Sequence, residues 1–523
     1  MNRPVLGIDL GTTNSVVASI DDQGQIVILR NAAGGETTPS AVFFEPDAVV
    51  VGEEALQAAT IDPANGIRLI KRHMGTEFPL MLGGQEHTPE SISALILRQL
   101  VAAVPGGLAA RPRVVITVPA YFGLAEREAT YQAGGIAGLD VLELLDEPVA
   151  AAAHYGLTAA GERTVLVYDL GGGTFDTTVL RIAGGAVTVL ATDGHHELGG
   201  ADVDQRLLDV VLERVEHLIS PEEFDEFAED KRLLGSLVLD IEAAKRDLSS
   251  RMSRDVIVRT ATGRFPVTLS RADLEAACGD LFDTTAEIIE RVLVAARSAG
   301  AAAIDEAIMV GGSSRIPTLA TQLTSMLGVT PRLVEPDLAV AKGAALRAHQ
   351  LLATTQLAAL AKSAGRGTAA ARAGTVRTVA PRAVGILVED SYDPAGERSF
   401  VEHLIRANTP LPVTRTEERF GTILAGQESV RIQVFEQAGP APSAEVEHNR
   451  RVLDGELTKI GSLPAGSVIK ITVKIAVDGR LTVIAHEPVS GRELTLEAFV
   501  EGVVDGAETE RLTRIVGMTA VRG

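Results

Sequence analysis

The sequence predicts a chain of two unlike parts, an α/β region with an internal duplication followed by a smaller all-β domain. Three observations carry this prediction. Up to about residue 349, β-rich runs alternate with helical stretches rich in alanine and leucine. Within this region, an apolar strand leading into a glycine-rich turn occurs twice, and from residue 383 the pattern becomes alternating β. The 523 residues suffice for about three to four domains' worth of structure.

Composition narrows the function classes. Lys plus Arg number 48 and Asp plus Glu 69, which gives a net charge of −21 and disfavours a protein that tracks nucleic-acid phosphates. Hydrophobic residues make up 46% of the chain, which excludes global disorder. Cys278 is the single cysteine, so an intramolecular disulfide framework, a thiolate zinc cluster and a Cys-x-x-Cys redox site are all excluded.

The chain start and the apolar runs bear on localisation. Asp9 comes too early for the apolar core of a signal peptide, and no stretch approaches the eighteen apolar residues of a membrane span. The sequence therefore predicts a cytoplasmic protein with no membrane partner.

The duplicated motif has a chemical interpretation. Residues 5–14 and 165–174 each deliver an Asp from an apolar strand into a turn rich in Gly and Thr, and strand-like residues follow. Glycines let backbone N–H groups approach phosphate oxygens, threonine hydroxyls donate to them, and an Asp can hold magnesium-bound water. No Walker loop is present. One such turn could be an ordinary tight turn, but two matched copies indicate a phosphate site.

Three segments carry a family resemblance. Residues 7–15, 169–176 and 310–317 resemble, in spacing and order, the phosphate and adenosine motifs of the DnaK-type seventy-kilodalton heat-shock chaperones. The likeness is strong over residues 1–350 and weaker over 383–500. It implies a two-lobed actin-like ATPase domain with internal duplication, then a β-sandwich-like peptide-binding domain.

The resemblance also implies residue roles. Asp9 and Asp169 would hold Mg²⁺ through water beside ATP or ADP. The residues implied in catalysis are Lys71, Glu147, Asp169, Thr174 and Asp176. Taken alone, Lys71 could be a surface residue, and Glu147 or Asp176 could cap a helix.

Further residues are implied in nucleotide binding. Four of them fall at helical spacing and share one face, which could otherwise be a solvated charged face, and Arg315 could stack on adenine. The implied nucleotide-binding residues are Asp9, Gly11, Thr12, Thr13, Asn14, Gly171, Gly172, Gly173, Gly199, Gly200, Glu242, Lys245, Arg246, Ser249, Gly311, Gly312, Ser313, Arg315 and Asp337.

The resemblance also implies residues of an interdomain relay and residues of a peptide-binding pocket. Pro119 and Arg127 match the family's proline switch and its arginine partner; the alternatives are a strand-ending proline and an exposed helical arginine. The matches to the peptide pocket are Ile386, Phe420, Val430 and Ile432. Their alternation is equally typical of any sandwich core.

The predicted organisation is an ATPase domain over 1–355, a basic Ala/Gly-rich flexible linker over 356–382, a β domain over 383–505 and a short helical tail over 506–523. The linker lacks the aliphatic run of the family, which puts domain docking in doubt. The loop 389–399 is longer and more polar than the family's loop over the peptide. About two turns of helix fit between residues 507 and 517, so we expect a variant without the family's helical lid.

The function implied is that of an ATP-dependent chaperone in protein folding and the stress response, with slow ATP hydrolysis. Its expected partners are unfolded or extended polypeptide, a J-domain co-chaperone and a nucleotide-exchange factor. One alternative is a nucleotide-gated protein with a single dedicated partner. An actin-like filament or a sugar kinase would share the first domain but would not explain the β domain.

Overall fold

The structure is a computed structural model of the chain. It describes residues 3–104, 106–156, 161–363, 376–390, 398–439, 441–477, 479–497, 503–504 and 506–523. None of the described helices is long and apolar enough to cross a membrane.

Lobe I is built on a mixed sheet. Its strands are β1 (Val5–Asp9), β2 (Asn14–Ile20), β3 (Ile26–Ile28), β4 (Thr38–Pro39), β5 (Val42–Phe44), β6 (Val49–Val51), β7 (Gly66–Ile67), β8 (Leu80–Leu82), β9 (Gln85–His87), β10 (Arg113–Val118) and β11 (Asp140–Asp146). Its helices are α1 (Glu53–Ile61), α2 (Pro89–Ala102), α3 (Leu124–Ile136) and α4 (Glu147–Gly156), with 3-10 turns at Ile70–His73 and Gly107–Ala110.

Lobe II is built in the same way. Its strands are β12 (Arg163–Leu170), β13 (Phe175–Ala183), β14 (Ala186–His195), β15 (Ser253–Arg259), β16 (Arg264–Ser270), β17 (Glu306–Val310) and β18 (Arg332–Leu333). Its helices are α5 (Gly200–Glu216), α6 (Pro221–Glu229), α7 (Lys231–Leu248), α8 (Arg271–Ala277), α9 (Gly279–Ser298) and α10 (Pro317–Leu327), with a 3-10 turn at Gly312–Arg315.

The two central sheets confirm the predicted duplication. Lobe I has the strand order β11-β10-β1-β2-β3, and lobe II has β18-β17-β12-β13-β14. In each sheet the first three strands are parallel and the last three antiparallel. The two motif strands, β1 and β12, therefore occupy the same central position, and their carboxyl ends deliver Asp9 and Asp169 to equivalent places.

A long helix returns from lobe II to lobe I. Helix α11 (Ala339–Ser363) packs on β1, β2 and β10. Its approach to β1 requires glycine at position 7, because a Cβ there would lie 2.0 Å from the backbone nitrogen of Ala345. The helix extends eight residues beyond the predicted domain edge at residue 355.

The predicted flexible linker is ordered at its second end. Strand β19 (Val376–Arg377) pairs in parallel with β14 and extends the sheet of lobe II. The Thr378 hydroxyl donates to Asp146 of lobe I at 2.8 Å. Residues 364–375 lie outside the described part of the chain. Residues 376–378 thus contact both lobes of the ATPase domain, and a two-residue β pairing needs no aliphatic run; a weakened docking between the two domains stays a prediction.

The β domain is a sandwich of two antiparallel sheets, with the strand orders β21-β20-β23-β24 and β22-β25-β26-β27. Both sheets contribute to one aliphatic core. Its strands are β20 (Val384–Glu389), β21 (Ser399–Ile405), β22 (Val413–Gly421), β23 (Gln427–Gln437), β24 (Asn449–Leu463), β25 (Val468–Ile475), β26 (Leu481–Glu487) and β27 (Arg492–Glu497), with a 3-10 turn at Val446–His448.

The predicted hairpins of this domain connect β25 to β26 and β26 to β27 in register. Asp478 of the first turn lies outside the described residues. So do residues 391–397 of the long polar loop.

The C-terminal segment packs on lobe I. Helix α12 (Gly506–Met518) has 13 residues, more than the two turns expected. Its Leu512 and Val516 are fully buried in the lobe I core. Strand β28 (Val521–Arg522) then pairs in parallel with β6. The absence of a lid stays a prediction.

Candidate functional site

The two phosphate loops face each other across the cleft between the lobes. A Cβ on Gly172 would lie 2.2 Å from the Thr13 hydroxyl, and a Cβ on Gly173 would lie 2.3 Å from the Thr12 methyl. Glycine at both positions therefore lets the loop after β12 close onto the threonines of the loop after β1. The backbone N–H groups and hydroxyls of both loops meet in one place, as the duplicated motif predicts.

The start of helix α5 supports the second loop from behind. The amide of Gly200 donates to the carbonyl of Gly171 at 3.0 Å, and the amide of Ala201 donates to that of Gly172 at 2.7 Å. Gly199 packs so closely that a Cβ would lie 2.6 Å from the nitrogen of Gly173. Gly199 and Gly200 thus shape the loop.

A buried lysine lies among acidic side chains at the base of the cleft. Lys71 comes from the 3-10 turn Ile70–His73 and is 4% exposed, and its Nζ lies 2.6 Å from Oε1 of Glu147. Glu147 is the first residue of α4. The carboxylate of Asp9 accepts from the Thr117 hydroxyl at 3.2 Å. Because Lys71 is buried and paired with a carboxylate, the alternative of a surface lysine is wrong.

These acids perturb one another. Burial raises the pKa of Asp9 from 3.8 to about 7, with a further contribution from Glu147 and an opposing one from Lys71. Burial and the nearby carboxylates raise the pKa of both Asp169 and Asp176 well above the usual range of an aspartate. Perturbed acids gathered in a cleft are typical of a functional site.

The charge balance of the cluster fits a cation. Asp169, Asp176 and Glu147 are buried, Asp9 is half-buried, and Lys71 is the cation that lowers the pKa of all three aspartates. A divalent ion with oxygen ligands would offset the remaining negative charge. Within the described residues, no group of three or more His, Cys, Asp or Glu side chains is arranged to hold an ion, so binding through water stays a prediction.

The far side of the cleft is formed by α7. Lys245 donates to the carbonyl of Gly200 at 2.8 Å and to Asp204 at 2.7 Å. Glu242 pairs with Arg246 at 2.5 Å, and Asp230 caps the start of the helix. Arg315 pairs with Asp337 at 2.5 Å, with both side chains nearly half exposed. Lys245 is thus held against the start of α5, while Arg315 stays accessible for stacking.

One cavity of about 890 Å³ contains most of the predicted residues. The predicted residues lining it are Asp9, Gly11, Thr12, Thr13, Asn14, Lys71, Glu147, Asp169, Gly171, Gly172, Thr174, Glu242, Lys245, Arg246, Ser249, Gly311, Gly312, Ser313, Arg315 and Asp337. Gly173, Gly199, Gly200 and Asp176 do not line it. The three glycines shape the second loop, and Asp176, which is 1% exposed, accepts from the backbone amide of Tyr121 at 3.1 Å.

Two arginines of lobe I were missed from the sequence. Arg72 donates to the carbonyl of Gly173 at 3.0 Å and pairs with Asp202 of α5 at 2.5 Å. Arg68 reaches across the cleft to Glu242 at 3.2 Å. For Arg72 the signal was its position next to Lys71, whereas nothing in the local sequence points to Arg68.

The predicted relay residues lie between the cleft and the β domain. Pro119 directly follows β10 and precedes Tyr121, whose amide contacts Asp176. The guanidinium of Arg127 pairs with Asp146 at 2.6 Å and donates to the carbonyl of Phe122 at 2.8 Å. The Arg127 side chain is only 13% exposed, so the alternative of an exposed helical arginine is wrong. A relay role stays a prediction.

The predicted peptide-pocket residues lie on three strands of the sandwich. Ile386 on β20 and Ile432 on β23 are each 5% exposed in the aliphatic core, and Phe420 on β22 and Val430 on β23 pack partly buried against it. Arg419 lies over the Phe420 ring, 5.6 Å from its centroid. Burial therefore agrees equally well with a pocket and with a plain core.

Comparison with known proteins gives the family. A family model described as "Hsp70 protein" matches residues 5–82 and 79–517. "Chaperone protein DnaK" of Thermotoga neapolitana is 37% identical over 508 residues, which cover 94% of this chain and 80% of the relative. The proteins of the same name in Thermosipho melanesiensis and Deinococcus deserti are 36% and 35% identical, over 94% and 97% of this chain and 79% and 81% of their own. The chain is therefore a member of the Hsp70 family.

Proposed function

We propose that this Hsp70-family ATPase couples ATP hydrolysis in the cleft to the binding of extended apolar polypeptide by the β domain. The observation that carries the proposal is the pair of interleaved phosphate loops around the buried Lys71–Glu147 pair. Positioning and charge neutralisation are what phosphoryl transfer to water requires of a protein. The dedicated-partner alternative is not favoured, since the relatives above are named chaperones.

The residues of the cleft have different roles in binding and hydrolysing ATP. The loop amides and the hydroxyls of Thr12, Thr13 and Thr174 bind the phosphates. The ammonium group of Lys71 offsets the charge that develops on the transferred phosphoryl group, and the carboxylates of Glu147 and Asp176 orient the attacking water. The α7 side chains and Arg315 bind the adenosine end.

Asp9 and Asp169 would hold Mg²⁺ through its water ligands. When bound, the ion supplies charge neutralisation to the phosphate oxygens. We also propose a cytoplasmic location and two kinds of partner, a J-domain co-chaperone and a nucleotide-exchange factor. These partners would time hydrolysis and ADP release.

The test of the function is the affinity of the intact protein for a labelled, extended, Leu-rich peptide, measured by fluorescence anisotropy with saturating ADP and again with saturating ATP and Mg²⁺. We expect a different dissociation constant in the two states. Equal affinities would contradict the coupling, and absence of binding in both would contradict the peptide site.

The magnesium requirement should depend on pH. Protons compete with the ion for an acid whose pKa is about 7, so we expect the magnesium concentration for half-maximal hydrolysis to rise about tenfold from pH 8 to pH 6. Asp9→Asn should reduce this dependence, leaving the part that comes from Asp169, and should weaken magnesium binding. The exposed Asp22→Asn is the matched control, and a pH-independent requirement in the unmodified protein would contradict the role of Asp9.

A substitution in the β domain distinguishes whether Val430 belongs to a peptide-binding pocket or only to the hydrophobic core. Val430 is only partly buried, so Val430→Asp should leave the sandwich folded and lower peptide affinity about tenfold, the equivalent of one lost apolar contact. ATP hydrolysis without peptide should not change. Val489→Asp, at a position that is 81% exposed, is the control. A fall in melting temperature with unchanged affinity would assign Val430 to the core alone.

A further inference from the structure

Helix α3 of the ATPase domain has no side-chain cap at its own N-cap position. Its N-cap position is Gly123, which has no side chain to accept from the first turn. The first amides of a helix need acceptors, usually from a Ser, Thr, Asp or Asn side chain at this position. Here the acceptor comes from the β domain: the carboxylate of Glu436 on β23 lies 3.0 and 3.2 Å from the amide nitrogen of Leu124.

The contact is tightly fitted. Glu436 is 2% exposed, and a Cβ on Gly123 would lie 2.2 Å from its Oε2 atom. The backbone of Gly123, with φ −77° and ψ −169°, is open to any residue. A side chain at this position would therefore displace the Glu436 carboxylate from the space it occupies.

Charged groups from the linker, β24 and α3 surround Glu436. Arg382 of the linker and Arg450 of β24 lie 3.8 and 3.7 Å from Oε1 of Glu126 on α3, and all three act on Glu436. The Oε2 atom of Glu126 is buried with no hydrogen-bond partner. Arg382 is also acted on by Asp193 of β14 and by Tyr121. Two carboxylates and two guanidiniums thus meet between lobe I, the linker and the β domain.

We propose that Glu436 caps helix α3 from the other domain, and that this cap is the pH-sensitive contact by which the docked β domain holds the helix that carries Arg127. The inference rests on the proposed coupling of the two domains. Undocking removes the cap and frees the first turn of α3, in which the capped Leu124 lies three residues before Arg127 of the Arg127–Asp146 pair.

The effect of pH has a definite sign. Burial raises the pKa of Glu436 from 4.5 to about 7; Arg382 opposes this rise and Glu126 adds to it. Because its pKa is higher in the docked state, the Glu436 carboxyl favours docking when it is protonated. This contribution is complete below pH 4.5 and is lost as the pH rises through 7. The ratio of docked to undocked protein should therefore fall up to about tenfold between pH 6 and pH 8.

Docking is measurable in the full chain by energy transfer between two dyes. Cys278 is fully buried, so Met81→Cys on lobe I and Val489→Cys on the β domain, which are 70% and 81% exposed, provide the labelling sites. The titration runs from pH 6 to pH 8 with saturating ATP and no peptide. The variants are Glu436→Gln, Glu436→Ala and Gly123→Ala, with Glu428→Gln as control because Glu428 is exposed on the same strand.

The proposal expects three results. Glu436→Gln keeps an acceptor for Leu124 but does not titrate, so its docked ratio should be the same at pH 6 and pH 8. Glu436→Ala should lower the ratio about fivefold at pH 6, the equivalent of one lost helix cap. Gly123→Ala should have a similar effect and add little in the double variant, since both changes remove one contact.

Two results would overturn the proposal. In the first, docking of the Glu436→Gln variant depends on pH as it does in the unmodified protein. In the second, the Glu436→Ala variant docks as tightly as the unmodified protein. Circular dichroism and peptide binding with ADP check that each variant is folded. Failure here is distinguishable from failure of the proposed function, because the dyes report docking without peptide, whereas equal peptide affinities with ATP and ADP would contradict the coupling itself.

Discussion

Lys71→Ala is expected to slow ATP hydrolysis about 10²–10³-fold, the usual cost of losing one preorganised charge at a reacting phosphoryl group. The reason is local. Lys71 is buried against Glu147, and its ammonium group lowers the pKa of Asp9 and Asp169. Without it, the positive charge is lost, and Asp9, Asp169 and the water-orienting Asp176, whose pKa Lys71 also lowers, should take up protons more readily.

The measurement is phosphate release in a single turnover, with nucleotide affinity measured in parallel by a fluorescent ATP analogue. Affinity should change little, because the two loops and the α7 side chains remain. Lys231→Ala, at an exposed lysine on the first turn of α7, should hydrolyse ATP at the unmodified rate. A Lys71→Ala rate within a factor of about two of normal would show that the charge of Lys71 is not used in the reaction.

The phosphate site was predictable because its information is local. Asp9 and Asp169 each end a strand within a continuous motif, and the repetition of that motif indicated that both turns serve one ligand. The shared strand order of the two lobes follows from the same duplication. Glycine at positions 172 and 173 was predicted for its backbone amides, and the structure adds a second reason, the close approach of Thr13 and Thr12.

Contacts between distant segments were not predictable. Arg68 and Glu242 are 174 residues apart, and Leu124 and Glu436 are 312 apart. Neither contact leaves a pattern in the local sequence, since a single charged residue on a strand or loop is usually solvated. Gly123 gives a weak signal at most, because glycine before a helix is common and reveals nothing about a carboxylate from another domain.

The linker and the C-terminal segment contain secondary structure that their amino-acid composition does not predict. A run rich in Ala, Gly and Arg predicted flexibility over 356–382, yet α11 extends to residue 363 and Val376–Arg377 pair with β14. Two residues are too few to form a readable strand pattern. The same is true of Val521–Arg522 on β6. In both cases, an open strand edge elsewhere in the fold decides the conformation.

Leu512→Ala is expected to release the C-terminal segment from lobe I and to lower the free energy of unfolding of that lobe by about 2–5 kcal/mol. Leu512 is fully buried in the same core as α2 and α3, so the substitution removes apolar contacts and leaves a cavity. Polar contacts farther along the segment also depend on its position: Arg522 pairs with Glu45 at 2.6 Å, and Gln99 donates to the carbonyl of Gly523 at 2.6 Å.

Release should be visible as faster trypsin cleavage after Arg511 and Arg514 of α12, with denaturant unfolding of lobe I measured in parallel. Met518→Ala, on the same helix but 81% exposed, should change neither. Because Val503 packs against the cores of both lobe I and the β domain, the segment is a second connection between the domains besides the linker. Leu512→Ala should therefore also lower the docked fraction seen by the dye pair. Unchanged cleavage and docking would show that α12 does not hold the β domain against lobe I.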